Sequence, residues 1–444
     1  MQEYFYALAD AIAARLSGDE GFVANFSGER SHFVRFNRSA VRQPGTVTQN
    51  YLSLSLFRGR RHGDATITVT EDREEDVARI DNALATLREM VASAAEDPHF
   101  LVSTEVRSTE RIAPDRLPTP DDAVEGILAA GTGEDLVGFY AAGPMYAGFA
   151  NSFGQRNWHA VNAFNFDACF YLRDDPAIKD RAVKMDYAGF AWDGPEFSAR
   201  AAAARDKLAL LARPPKTLAP GGYRVFLAPA AMEDIMGMLS WDGFSLSARR
   251  TATTPLLRLG NGETFSPLVS VTENIADGLA PAFQSEGFIS PDRIPLISRG
   301  AAAECLASPR SGVEFETAHN GAAAHESPQA LDMAPGTLAD SAILAALGTG
   351  VYMGNLWYLN YSDRNACRMT GMTRFATFWV ENGVIVAPLN VMRFDDSAYR
   401  FLGRNLIGLT AAREWRLSTD TYESRSTRSM HLPGALIEDF RLTL

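Results

Sequence analysis

Asn382-Gly383 stands between two apolar, β-rich runs in TRFATFWVENGVIVAPLNV, residues 373–391. An Asn-Gly pair readily takes positive φ at both central positions of a type I′ turn, and the twist of that turn matches the twist of paired strands. This is the strongest short-range hairpin signal in the chain. It commits the C-terminal part to a sheet with antiparallel pairing.

A second β-rich region lies near the start. Residues 32–70 hold HFVRFNRSAVRQ, TVTQNYLSLSLFRG and DATITVTED, which alternate or are rich in β-branched and aromatic residues. Pro44-Gly45 and Gly63-Asp64 are the expected turns. An amphipathic helix precedes them, with Phe5, Leu8, Ile12 and Leu16 at helical spacing. Another follows, with Val77, Ile80, Leu84, Leu87 and Val91 on one stripe. Residues 108–136, rich in Pro, Asp and Gly, read as a connector. They lead to a β-rich stretch at 137–195 and a helix in SARAAAARDKLALLARPPKTLAPGGY that breaks at Pro-Pro and Pro-Gly-Gly. Helices are expected near 232–240, 272–284 and 338–347.

At 444 residues the chain exceeds what a single core usually supports. The expected fold class is α+β, with an N-terminal two-layer antiparallel sheet with helices followed by a larger mixed, β-rich C-terminal domain. The expected division is 1–107, then 108–215 as connector and central segment, then 216–444.

A formal net charge of −12 argues against direct nucleic-acid binding, which needs a basic surface. Cys169, Cys305 and Cys367 are far apart and odd in number, which fits a reducing compartment rather than a disulfide framework. The N-terminal helix has no basic region before it and carries Glu3 and Asp10, so it reads as part of the fold and not as a signal peptide. The run AILAALGTGVYMG is too short to span a bilayer. The expectation is a cytoplasmic protein with no membrane contact.

Most chemical motifs are missing. GTGVYMG (348–354) follows a helical run with its third glycine misplaced, so it reads as a helix-to-strand turn. NSFG (151–154) reads as a tight turn. His319 and His325, near Glu326 and Asp332, are spaced for neither a metalloprotease helix nor a zinc finger, and a solvated loop is the better reading. Cys367, in a polar loop between strands, reads as an inert thiol. What remains is VFLAPAAMEDIMGML (225–239), a strand running through Pro229 into a helix with Glu233 near its start. A lone Glu there suits the helix dipole, and a general base would need a metal or an acid partner.

The ordered set RFNRS (35–39), NSFG (151–154), ARDKLALLARPPKTLAPGGYRVFLAPAA (204–231), SEGF (285–288), HNGAAAHESPQALDMAPG (319–336) and GVYMGNLWYLNYSDRNACRMTGMTRFATFWVENGVIVAPLNVMRF (350–394) resembles the TldD/PmbA (TldE) proteins along most of the chain. That resemblance implies a two-subunit cytoplasmic peptidase whose dimer encloses a chamber for unfolded or modified peptides. In it the TldD-like subunit holds a zinc-type metal through an H-E-x-x-x-H helix and a cysteine near the C-terminus. Here the helix falls on MEDIMG. Met232 stands at the first His position, Glu233 at the Glu, and Gly237 at the second His. The final segment has no Cys, only His431 nearby.

The resemblance therefore implies a metal-free, TldE/PmbA-like subunit, with no cofactor in this chain and the zinc-type metal in a TldD-like partner. The chain would form a heterodimer with that partner, or a homodimer in isolation. Candidate peptide-binding residues are Asn355, Trp357, Tyr358, Tyr361, Ser362 and His319. For Trp357 and Tyr358 a plain sheet core explains the sequence equally well. One alternative is a stand-alone amide hydrolase using His319, His325, Glu233 and Cys367. The other is a non-enzymatic modulator of DNA gyrase or of toxin–antitoxin proteins.

Overall fold

The computed structural model describes residues 1–173 and 181–443. The first sheet is built from β1 (Gly21–Asn37), β2 (Ala40–Arg58), β3 (Arg61–Thr68), β4 (Thr109–Ile112), β5 (Asp135–Asn151), β6 (Arg156–Tyr171) and β7 (Ala182–Gly189). Its spatial order is β3-β2-β1-β5-β6-β4, and β7 also pairs with β6. All of its pairings are antiparallel except the short β4–β6 contact. Helices α1 (Gln2–Ala13) and α2 (Arg73–Ser93) bury Phe5, Leu8, Ile12, Ile80, Leu84, Leu87 and Val91 against this sheet, with Phe22, Phe26, Leu52 and Leu54 facing them. Asp72 caps α2 by accepting from the amides of Glu74 and Glu75.

The strands at 135–189, read in sequence as a central segment, extend this first sheet. Helices α3 (Pro120–Gly131) and α4 (Gly194–Leu211) cover their half of it, packing Ile127, Phe197, Ala201 and Leu208 on Tyr140, Phe166 and Phe170.

The second sheet holds β8 (Gly221–Leu227), β9 (Val271–Asn274), β10 (Arg293–Ser298), β11 (Ala301–Ala302), β12 (Ala330–Met333), β13 (Gly350–Asp363), β14 (Arg368–Glu381), β15 (Val384–Pro388), β16 (Arg393–Ser397), β17 (Leu406–Leu417) and β18 (Ser429–Leu442). β8 lies parallel to β13 and antiparallel to β18. β18, β16, β14 and β13 are joined in turn, so the sheet closes on itself through β8. The α+β class with an antiparallel first sheet and a larger mixed second one is therefore as the sequence implied. So is the hairpin. Asn382 (φ 52°) and Gly383 (φ 78°) turn β14 into β15.

Three local expectations fail for physical reasons. Pro44-Gly45 is not a turn; both lie inside β2, opposite Val34 and Phe33. β3 reaches only as far as Tyr51 on β2, so among the described residues the other edge at Pro44 has no strand partner and the missing N–H costs nothing in the ladder. The reversal is made instead by Arg38 (φ 52°) and Ser39 (φ 55°). Gly63-Asp64 likewise lies within β3, the turn being at Gly59. A Cβ at Gly63 would come within 3.3 Å of Met90 on α2, so the glycine serves helix–sheet packing. Finally, 272–284 is not a helix. β9 is pinned between β10 and β12, and buried Glu273 accepts from the amides of Gln329 and Ala330. Gly278 and Pro281 follow, a poor start for a helix.

Candidate functional site

The segment that carries the sequence argument forms β8 and then α5 (Pro229–Ser240). Pro229 sits in the first turn of α5, where its missing N–H is harmless, and no side chain caps that end. Ala231, Met232, Ile235, Met236 and Leu239 are buried among strands of the second sheet, in the core that also holds Val225, Leu227, Met353, Leu432 and Ile437. The opposite face carries Glu233, Asp234 and Gly237. Gly237 is exposed, with nothing within 4 Å of a Cβ placed there.

Glu233 is not free. Its Oε2 accepts from Arg416 Nε at 2.6 Å, and Arg416 Nη2 donates to Asp186 Oδ2 at 2.7 Å. Arg416 comes from β17 and Asp186 from β7, so one guanidinium joins the two sheets at the start of α5. Its side chain is 8% exposed. Burial opposes its charge, but Glu233, Asp186 and Glu414 more than offset that and hold its pKa well above the ordinary value. Lys184 stands 3.1 Å from Asp167 and 3.5 Å from Asp186, completing a charge network on the first sheet. Asp234 is different. Burial, aided by the neighbouring charge of Glu233, raises its pKa to about 7, although it accepts from the Leu356 amide at 3.3 Å.

A cleft of about 430 Å³ opens beside this network, between α4 and β7 on one side and the β8–α5 junction, β13 and β17 on the other. Lys184, Asp186, Arg200, Lys207, Tyr352, Asn355 and Arg416 line it, with Ala228, Pro229 and Ala230 at the start of α5.

Of the residues singled out in sequence, Met232 is core, Glu233 belongs to the network, and Asn355 lines the cleft. Trp357 and Tyr358 are 48% and 76% exposed, with ring centroids 5.7 Å apart and the Arg374 guanidinium over Trp357. They form a surface, not a sheet core. Tyr361 instead packs under Arg364 and donates its hydroxyl proton to the Met238 carbonyl near the end of α5. Ser362 is held by Asp395. His319 is exposed, edge-on to Phe288 and away from the cleft lining. His325 bonds Gln329, and Glu326 is buried as an acceptor for Ser245, Ser247 and Ser308. Cys367 is fully buried, its thiol pushed up to about 12 by burial. His319, His325, Glu233 and Cys367 thus each engage different neighbours. His431 stacks on Trp415 at 4.2 Å, 3.6 Å from Asp332.

Sequence reasoning missed Arg416, Asp186, Lys184 and Lys207. No motif marks them. Arg416 meets Glu233 and Asp186 across 183 and 230 residues of chain.

The residues present do not fit a zinc-type ion. Such an ion needs about three protein ligands in a catalytic centre. The Met232 thioether is sunk in the core, Gly237 offers no side chain, and Glu233 is committed to a guanidinium that carries the positive charge itself. Among the described residues no three His, Cys, Asp or Glu side chains gather closely enough to hold a metal.

Residues 220–444 match the sequence profile of the PmbA/TldA metallopeptidase C-terminal domain. A search of curated proteins returns no match. Three solved structures share the fold over nearly the whole chain. A protein assigned as a DNA gyrase modulator from Thermotoga maritima superposes with a TM-score of 0.76 at 15% identity, covering 100% of both chains. TldE from Thermococcus kodakarensis gives 0.75 at 14% identity, covering 100% of this chain and 99% of its own. A second protein assigned as a gyrase modulator, from Bacteroides thetaiotaomicron, gives 0.76 at 15% identity, covering 99% and 98%.

Proposed function

Since this chain belongs to the PmbA/TldA metallopeptidase family, we propose that it is the non-catalytic, TldE-like subunit of a two-subunit peptidase, shaping the chamber that receives unfolded or modified peptides. One observation carries the reading. At the start of α5, Glu233 is paired to the buried Arg416, which also holds Asp186, and Met232 and Gly237 stand at the two expected histidine positions. A carboxylate oxygen already taken up by a guanidinium N–H is not free to accept a proton from an attacking water.

The metal and the hydrolytic step would belong to a TldD-like partner. This chain would contribute walls and peptide contacts. Asn355 in the cleft and the exposed Trp357–Tyr358 pair suit that task, since aromatics bury large area against a peptide at low entropic cost.

The test is to purify the full chain alone, and together with a TldD-like protein of the same organism, then measure bound metal and cleavage of an unfolded peptide. The expected outcome is no stoichiometric metal and no cleavage by the chain alone, with cleavage in the complex exceeding that of the partner alone. Stoichiometric metal or cleavage by the chain alone would overturn the reading. Tight binding to gyrase, with no effect on the partner's cleavage, would replace it with a modulator role.

A further inference from the structure

We propose that the cleft between α4 and the β8–α5 junction binds a peptide carboxylate, with Lys207 as its anchor. The proposal rests on the peptide-binding reading above and adds what the site recognises.

The argument is one of unmatched groups. The carboxylates lining the cleft are already answered. Asp186 faces Arg416 and Lys184, Glu196 faces Arg200, and Glu414 also faces Arg200. Among the described residues, Lys207 is the one cation of the lining with no carboxylate partner. Its ammonium donates to the Tyr352 hydroxyl oxygen at 3.2 Å and lies 5.1 Å from that ring's centre. That arrangement leaves two ammonium N–H groups free and turns the Tyr352 hydroxyl into a donor for something else. Asn355 adds an amide to the lining that makes no side-chain hydrogen bond among the described residues, and the uncapped start of α5 adds a favourable dipole. The surplus is in donors, so the missing ligand is an acceptor.

The charge is set at Lys207 and not by the cleft as a whole, where Lys184, Arg200 and Arg416 are already matched by Asp167, Asp186, Glu196, Glu233 and Glu414. One unmatched lysine balances a single negative charge. A carboxylate fits the pairing of one ammonium with one hydroxyl, whereas a phosphate dianion would leave charge unmet. The surroundings point to a peptide as the bearer. β8 pairs with β13 only as far as Met353, and Gly354 and Asn355 then line the cleft where β13 has lost that neighbour. A carboxylate can come from a peptide's C-terminus or from an Asp or Glu side chain, and the experiment separates the two.

Three fluorescein-labelled unfolded peptides of one sequence would be titrated with the full chain. One is a free acid without Asp or Glu, one its C-terminal amide, and one an amide carrying a single internal Glu. Fluorescence polarisation reads the binding. At least one acidic peptide is expected to bind about tenfold more tightly than the neutral amide, the size of one charge-assisted contact. Which of them does so names the source. Lys207→Met is expected to abolish the preference and Lys207→Arg to keep it, with circular dichroism confirming that both variants fold. Equal binding of all three peptides, or a preference that survives Lys207→Met, would overturn the anchor and leave the peptide-binding reading intact. No binding of any peptide would overturn both.

Discussion

Arg416 is the residue on which the site turns. Removing it leaves Glu233 and Asp186 facing each other across the sheets without their shared counter-charge. Breaking a buried ion pair from one side costs several kcal/mol, most of it the penalty of the charge left behind. Arg416→Met is therefore expected to destabilise the protein by about 3 kcal/mol in urea denaturation. Adding Glu233→Gln and Asp186→Asn should restore much of that loss. If the single variant unfolds at the wild-type midpoint, the network is not a clasp. Asp234 gives a pH-dependent counterpart. Its folded pKa, raised by burial to about 7, lies above that of an unfolded aspartate. The native state thus holds a proton that the unfolded state releases near pH 4, and stability falls as pH rises through that window. Glu273, also raised by burial to about 7, acts in the same sense. Asp234→Asn removes one such group while keeping an acceptor for the Leu356 amide. Its advantage over wild type should be small at pH 4 and grow to on the order of 4 kcal/mol by pH 8. A gain that does not change with pH would exclude the titration of Asp234 as its cause.

At the level of the element, α5 shows how a helix can keep its place while its two faces serve different ends. Spacing alone places Met232, Ile235, Met236 and Leu239 on one stripe and Glu233 with Gly237 on the other, and the structure buries the first and opens the second. Gly237 is an interior helical position with no neighbour to clash. Gly237→Ala is expected to raise stability by about 1 kcal/mol in thermal or urea melts. Met232→His should do the reverse, costing about 2 kcal/mol or more, because it puts a polar ring into an apolar core with no partner. Restoring a histidine pair here would thus work against the core that now fills the position. Tolerance of Met232→His without loss of stability would show that the core around α5 accommodates a polar ring.

At the scale of the molecule, the two sheets share cores as well as salt bridges. Ala376 and Phe378 of β14 pack in the cluster formed by Phe166, Phe170, Phe197 and Leu208. Arg425, in the loop between β17 and β18, is half-buried against the first sheet and donates to the carbonyls of Gly143 and Ala163. Arg111 reaches the other way, to the carbonyls of Ile275 and Gly278. The segment around Arg213-Pro214-Pro215 is exposed and is the covalent link between the two halves. A protease site inserted between Pro215 and Lys216 should give two fragments that still elute together on gel filtration without denaturant. Separate elution would show that the shared core does not hold the halves.

The sequence by itself determined the class of the fold, the Asn382-Gly383 hairpin, the amphipathic helices and the position of α5. All of these rest on periodicity or turn chemistry within about twenty residues, where backbone conformation is decided locally. It also showed that Met232 and Gly237 stand where the resemblance places the two histidines of a metal helix. Where local signals competed with packing, packing won. Pro44 was carried into a strand at an unpaired edge, Gly63 was placed under a helix, and the stretch after Val271 was drawn into a sheet between two partners. Only the tertiary structure decided what Glu233 faces, which of the proposed binding residues reach the cleft, and that among the described residues Lys207 stands there without an acid. Each of those is a charge or a cavity made by chains far apart in sequence, and charge pairing depends on distance in space, which no local pattern records.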